Sequence, residues 1–149
     1  MSRVVRVYVP LATGSVDELA TLGTLPAPPE DAFAVTARLA ASLPASDDEE
    51  REYAAFVAAA ERAAALSGSG RGSRRSRRVV AAADVPEGWV TESSAGGTRP
   101  IAAVSLYGPL TTRVVVSLHV GESADPDADL LWYDITEIDA VRAILADHG

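Results

Sequence analysis

The chain is predicted to fold as α+β: a mostly antiparallel sheet of about four to six strands, covered on one face by helices in a ferredoxin-like or related split arrangement. Three observations lead there. Period-two alternation marks a strand at the N-terminal end and a cluster of strands in the second half. A block of helical periodicity lies between them, and a further helical segment closes the chain. Strands, then helices, then strands is the order of an antiparallel sheet with its helices grouped together.

The first strand runs from Arg3 to Val9, with Val5, Val7 and Val9 on one face and Val4, Arg6 and Tyr8 on the other. Ser15 and Glu18 have capping-box spacing, and Val16, Leu19 and Leu22 give a short helix an apolar stripe before Gly23 ends it. Three prolines make a loop of Thr24 to Pro29. Ala32 to Val35 is read as a brief strand, and Thr36 as the cap of a second short helix that Pro44 ends. The longest helix begins at the acidic residues Asp47 to Glu50, whose charges suit the positive end of its dipole. Tyr53, Phe56, Val57, Ala60 and Ala64 then recur at helical spacing, and the alanine-rich inner face permits close approach to a sheet.

Beyond it, a Gly/Ser/Arg segment at 67–76 has no residue able to anchor a core and is expected to be a mobile loop. Strands follow at Val79 to Val85 and Ile101 to Leu106, separated by a turn at Pro86 to Gly88 and a polar stretch from Thr91 to Thr98. Val114 to Val120 is expected as the central strand, with Val114, Val116, Leu118 and Val120 on one face and Val115, Ser117 and His119 on the other. Leu130 to Asp134 forms the last strand, and Thr136 with Asp139 starts the last helix. One domain over residues 1–149 accommodates all of this.

Composition narrows the chemistry. The 149 residues contain no cysteine and no lysine, so disulfides, thiolate nucleophiles, Schiff bases and a P-loop ammonium are all excluded. Only two histidines exist, His119 and His148, too few for a three-histidine metal centre. Pro10 and Gly14 interrupt the N-terminal apolar run, which argues against a signal peptide and for a cytoplasmic protein. No apolar stretch approaches the roughly 20 residues of a membrane span. A formal charge of −8 opposes nonspecific binding to nucleic acid, although five of the thirteen arginines fall between Arg71 and Arg78.

Few residues are candidates for function. His119 is the one catalytic candidate, a general base with Ser117 beside it and Asp84 or Glu122 to orient it; the competing reading is a sheet-face histidine in a structural hydrogen bond. Arg74, Arg75, Arg77 and Arg78 are candidate phosphate ligands, but no aromatic residue is interleaved to stack bases, and a charge-balancing surface loop is the competing reading. Trp132 and Tyr133 are candidate interface anchors, and Trp89 a core aromatic. Asp125, Asp127 and Asp129 open like a calcium loop, but the sixth and twelfth positions are Leu130 and Thr136, not glycine and glutamate. Gly68, Gly70 and Gly72 follow a helix, where nucleotide-binding glycines follow a strand. Neither a metal nor a cofactor is expected.

A resemblance spans nearly the whole chain. Arg6-Val7-Tyr8-Val9-Pro10-Leu11 at the start, Ala34-Val35-Thr36, Glu49 to Ala55, Arg77-Arg78-Val79-Val80 running on to Asp84-Val85, Leu118-His119-Val120 and Leu130-Leu131-Trp132-Tyr133 together resemble an uncharacterised actinobacterial family, a domain of unknown function. The resemblance implies a source and no activity. Relatives place an aspartate after the His-Val pair, where this chain has Gly121 and Glu122, and its Arg-rich loop looks like a local elaboration. The expected role is a noncatalytic binding or protein-interaction module, self-associating through a sheet edge or the aromatic C-terminal region or binding an unknown protein partner. The alternatives are a small enzyme with His119 as general base and a nucleic-acid or phosphate-binding accessory protein using Arg71 to Arg78.

Overall fold

Alternating β-branched residues extend the chain into β1 (Val4–Leu11), the first element of a computed structural model that describes residues 3–29, 31–67, 76–92 and 100–146. The Gly/Ser/Arg segment falls outside these residues except at Ser67 and Ser76, as do Arg71, Arg74, Arg75 and His148. After β1 come α1 (Thr13–Leu22), β2 (Ala32–Phe33), α2 (Ala37–Ser42), α3 (Asp48–Ser67) and β3 (Val79–Pro86). The second half holds β4 (Val90–Glu92), β5 (Ala103–Leu106), β6 (Val115–Gly121), β7 (Leu130–Asp134) and α4 (Ile138–Ala146), with single 3-10 turns at Glu87–Trp89 and Ile135–Glu137.

Helix ends follow local chemistry, with two departures from the capping expectations. Thr36 caps α2 by accepting from the Leu39 N–H, Asp47 accepts from the Glu50 N–H at the start of α3, and Gly23 ends α1 at φ 75°. The Ser15–Glu18 capping box does not form: α1 starts three residues earlier, after Ala12, without a side-chain cap. Thr136 does not begin the last helix either. Asp134 accepts from the Thr136 N–H, and the 3-10 turn carries the chain into α4.

All seven strands join one sheet, in the order β4-β5-β2-β1-β3-β6-β7, with every pairing antiparallel. The α+β class is therefore as expected, but the sheet exceeds four to six strands. The added strand is β4, whose three residues are too few to display a period and which exists through its pairing with β5. β2 and β3 flank β1 and both run antiparallel to it, so they are parallel to each other and joined through α2 and α3 across an inserted strand.

Helices cover both faces, which corrects the expectation of one. Val7, Val9, Val79, Val85, Leu118 and Val120 pack with Val16 and Leu19 of α1 and with Val141 and Leu145 of α4. Tyr8, Phe33, Val80 and Ala82 face the other way, against Leu39 of α2 and Ala55, Ala59, Ala60 and Ala63 of α3. A sheet buried on both sides carries near-continuous apolar runs, and β1 and β3 each have five consecutive buried residues. Alanine lets α3 sit close to the strands. One glycine is sterically required: a Cβ on Gly108 would lie 2.1 Å from the Trp89 ring, which packs on the apolar core.

A β-bulge alters the expected faces of β6. Ala82 pairs with Ser117 but Ala83 pairs with Val115, so Val116 is the extra residue. Val115 consequently shares the α1/α4 core with Leu118 and Val120, while Ser117 and His119 point to the α3 side.

Candidate functional site

Strand periodicity brings polar side chains together on the α3 side of the sheet. β1 contributes Arg6 and Tyr8, β3 contributes Ala82 and Asp84, β6 contributes Ser117 and His119, and β7 contributes Trp132. The first turns of α3 add Glu52, Tyr53 and Phe56, closing a cleft of about 340 Å³. Its depth comes from small side chains, since Ala82 and Ser117 line it between the larger Tyr8, His119 and Trp132.

Hydrogen bonds fix most of the polar groups. Arg6 Nε and Nη2 donate to the two Asp84 carboxylate oxygens at 2.5 and 3.1 Å, a bidentate pair that matches the planar guanidinium fork. The Tyr8 hydroxyl donates to Glu52 Oε1 at 2.8 Å. Burial, and then the neighbouring Glu52 carboxylate, push the Tyr8 phenol well above its usual range, so it stays protonated. Ser117 Oγ and His119 Nε2 lie 3.1 Å apart. Burial, seconded by the charge of Arg6, lowers the pKa of His119 and favours the neutral imidazole. The Phe56 ring packs over that imidazole at 4.9 Å between centroids and meets Tyr8 edge-on at 5.9 Å.

The expected constellation around His119 forms in part. Ser117 is its partner, but the residue is only 2% exposed. Neither proposed orienter serves: the Asp84 carboxylate is taken by Arg6, and Glu122 instead offers its main-chain carbonyl to Arg77. Arg77 also donates to the Gly121 carbonyl at 3.0 Å, and Arg78 donates to the Ala128 carbonyl, so both guanidinium groups pin the acidic loop after β6. Within that loop Asp125 accepts from the Asp127 N–H at 2.8 Å, an Asx turn. Among the described residues no group of three or more His, Asp or Glu side chains is placed to hold a metal.

Trp132 and Tyr133 part company, because successive residues of a strand face opposite ways. Trp132 is 59% exposed at the cleft, whereas Tyr133 packs against the α1/α4 core. Sequence reasoning did not assign Arg6, Tyr8, Glu52 or Phe56 to a site. Its available signal was a single charge within each of two otherwise apolar strands, Arg6 in β1 and Asp84 in β3, which register now shows to be opposite each other. The cleft continues past Tyr53, Phe56 and Leu130 into a trough of about 650 Å³ bordered by Glu61, Asp127 and Asp129. A separate depression of about 380 Å³, lined by Pro10, Pro26, Pro28 and Leu66, brings only Glu18 and Asp31 as ionisable groups among the described residues.

Comparison with known proteins gives a family and little else. The model of a family of unknown function (DUF6912) matches residues 5–127, a span that contains every cleft residue of β1, α3, β3 and β6 and ends before β7. No curated protein and no solved structure matches the chain. No helix among the described residues is long and apolar enough to cross a membrane.

Proposed function

The chain belongs to this family of unknown function, and for it we propose a noncatalytic binding module whose cleft receives a cationic group, a guanidinium or ammonium carried by a protein partner. One observation carries the reading. The carboxylate of Glu52 stands among the aromatic side chains of Tyr8, Tyr53, Phe56 and Trp132, and among the described residues its bond is to a phenol and not to a cation. The nearby Arg6 charge is matched by Asp84, leaving the set Arg6, Asp84 and Glu52 with a net negative charge. Aromatic faces beside a carboxylate attract a cation through both the ring quadrupole and the charge.

Ethylguanidinium chloride tests the reading, with sodium acetate and sodium phosphate as anion controls. Titration of the full chain is expected to shift the Trp132 indole and His119 ring resonances with the guanidinium alone, and Glu52→Gln is expected to abolish the response. Binding of the anions in its place, or no response to ethylguanidinium, sinks the proposal.

The Ser117–His119 bond favours a second reading, a general base acting on a hydroxyl. Turnover of p-nitrophenyl acetate that is lost in both Ser117→Ala and His119→Gln would establish it; absence of turnover ends it. Phosphate binding by Arg74, Arg75, Arg77 and Arg78 has less support, because the latter two are committed to main-chain carbonyls. The crossover from β2 to β3 around β1 is the feature that supports relating this sheet to ferredoxin-like arrangements.

A further inference from the structure

β7 ends the strand order, and among the described residues no strand pairs with its outer edge. An open edge offers a row of main-chain donors and acceptors to an added strand. Proteins commonly blunt such edges with lysine, proline or a covering helix. β7 has neither residue in its sequence Leu-Leu-Trp-Tyr-Asp, and Leu131 and Trp132 stand 42% and 59% exposed. It also forms the outer wall of the cleft, since Trp132 pairs with His119 across the ladder to β6.

We infer that the β7 edge is the docking strand for an extended basic segment of a protein partner, which adds to the sheet and lays an arginine or lysine side chain over Trp132 at the mouth of the cleft. The inference rests on the cation-binding reading of the cleft and adds the partner and its geometry. Spacing permits it: an added strand lies about 4.8 Å from β7, and long side chains interact with direct and diagonal neighbours across such a pair, Trp132 among them, whereas Glu52, bonded to Tyr8 on β1, contributes through its charge and not by contact. Charge selects the occupant. Asp129 and Asp134 stand at the two ends of the strand, and Asp127 and Glu61 border the trough beside it. The cation there, Arg78, already donates to the Ala128 carbonyl.

Charge also disfavours a second copy of this chain. Two-fold antiparallel pairing centred on Trp132 sets Asp134 of each strand beside Leu130 and next to Asp129 of the other. Like charges then meet at both ends of the new ladder, a destabilising arrangement. A basic strand in either direction meets opposite charge instead.

The test uses the full chain and the peptide acetyl-TVTRTVT-amide. Its controls are the same peptide with citrulline in place of arginine and a version N-methylated at alternate residues. Amide hydrogen exchange at Leu130 to Asp134 and the Trp132 indole resonance are the readouts. The arginine peptide is expected to protect outward-facing β7 amides and to shift Trp132. N-methylation, which removes several main-chain hydrogen bonds, is expected to weaken binding at least about tenfold, and citrulline to weaken it as well. A peptide that shifts Trp132 while β7 amides exchange unchanged overturns the docking strand but leaves the cleft reading intact. Failure of both the peptide and ethylguanidinium removes the cleft reading and the inference together. Protection of β7 that appears without peptide and grows with protein concentration assigns the edge to a second copy and overturns the basic partner.

Discussion

The two faces of the sheet are built from the same strands yet filled by different chemistry. On the α1/α4 side, branched side chains such as Val7, Val9, Val85, Leu118 and Val120 meet Val16, Leu19 and Val141, and all of these residues are less than 2% exposed. On the α3 side the strands present Tyr8, Val80, Ala82 and Phe33, the helix answers with alanines, and polar residues enter at Arg6, Asp84, Ser117 and His119. The first face is closed by large aliphatic groups. The second is closed by close approach over the middle of the sheet and left open at its β6–β7 end. Apolar packing and the polar cleft are thus separated by a strand periodicity of two, and under the proposed function the open end is where substitutions should alter binding more than folding.

The largest expected effect lies on the closed face. Leu118 is fully buried there, and Leu118→Ala should cost about 2–5 kcal/mol, read by denaturant unfolding. A cost below about 1 kcal/mol would mean that this face tolerates voids and that the contrast is drawn wrongly. Next comes the close approach of α3. Ala59 is completely buried against the sheet, so Ala59→Leu should lose about 1–3 kcal/mol by overpacking. A neutral Ala59→Leu would show room beneath α3 that the alanine face does not predict.

The closed face was far more legible in sequence than the open one. Period-two valines announce β1 and β6, an apolar run announces β3, and the β7 boundaries, Leu130 to Asp134, are those the sequence predicts. Capping chemistry located Thr36 and Gly23 correctly. Beyond the two helix starts and the second covered face, three things escaped for a reason of range. β4 is three residues whose extended form depends on β5, so nothing local encodes it. The bulge at Val116 depends on how β6 meets β3, and an uninterrupted valine run conceals it. The site itself depends on register and helix placement: Arg6 meets Asp84 across 78 positions and Tyr8 meets Glu52 across 44. His119 and its bond to Ser117 were visible because two residues on one strand face are neighbours without any knowledge of the fold.

A smaller effect, confined to one pH window, sharpens the picture of the open end. The folded chain holds His119 below its ordinary pKa of 6.5, chiefly through burial. The unfolded chain therefore binds a proton at this residue first as pH falls, and stability must drop below about pH 6.5 while remaining level above it. Carboxylates add their own slope at lower pH, so the informative quantity is the difference between the native chain and His119→Gln, which cannot titrate. That difference should change between about pH 7 and about pH 5 in the direction of relative loss for the native chain. A constant difference would mean that the imidazole is hydrated as freely in the cleft as in the unfolded chain.

The smallest expected effect on stability is also the one that divides the faces most sharply. Trp132 is the largest side chain of β7, but 59% of it is exposed, and its ring borders a cleft and not a packed core. Trp132→Ala should therefore change unfolding free energy by no more than about 0.5 kcal/mol, little for so large a truncation. Its neighbour supplies the control, because Tyr133 turns to the opposite face and packs on the apolar core, so Tyr133→Ala should cost several times more. If the two truncations cost the same, Trp132 is serving the fold, and the cleft it borders is a by-product of packing. If Trp132→Ala is silent in unfolding yet removes the response to ethylguanidinium, the exposed ring is held at the sheet edge for contact with something other than this chain.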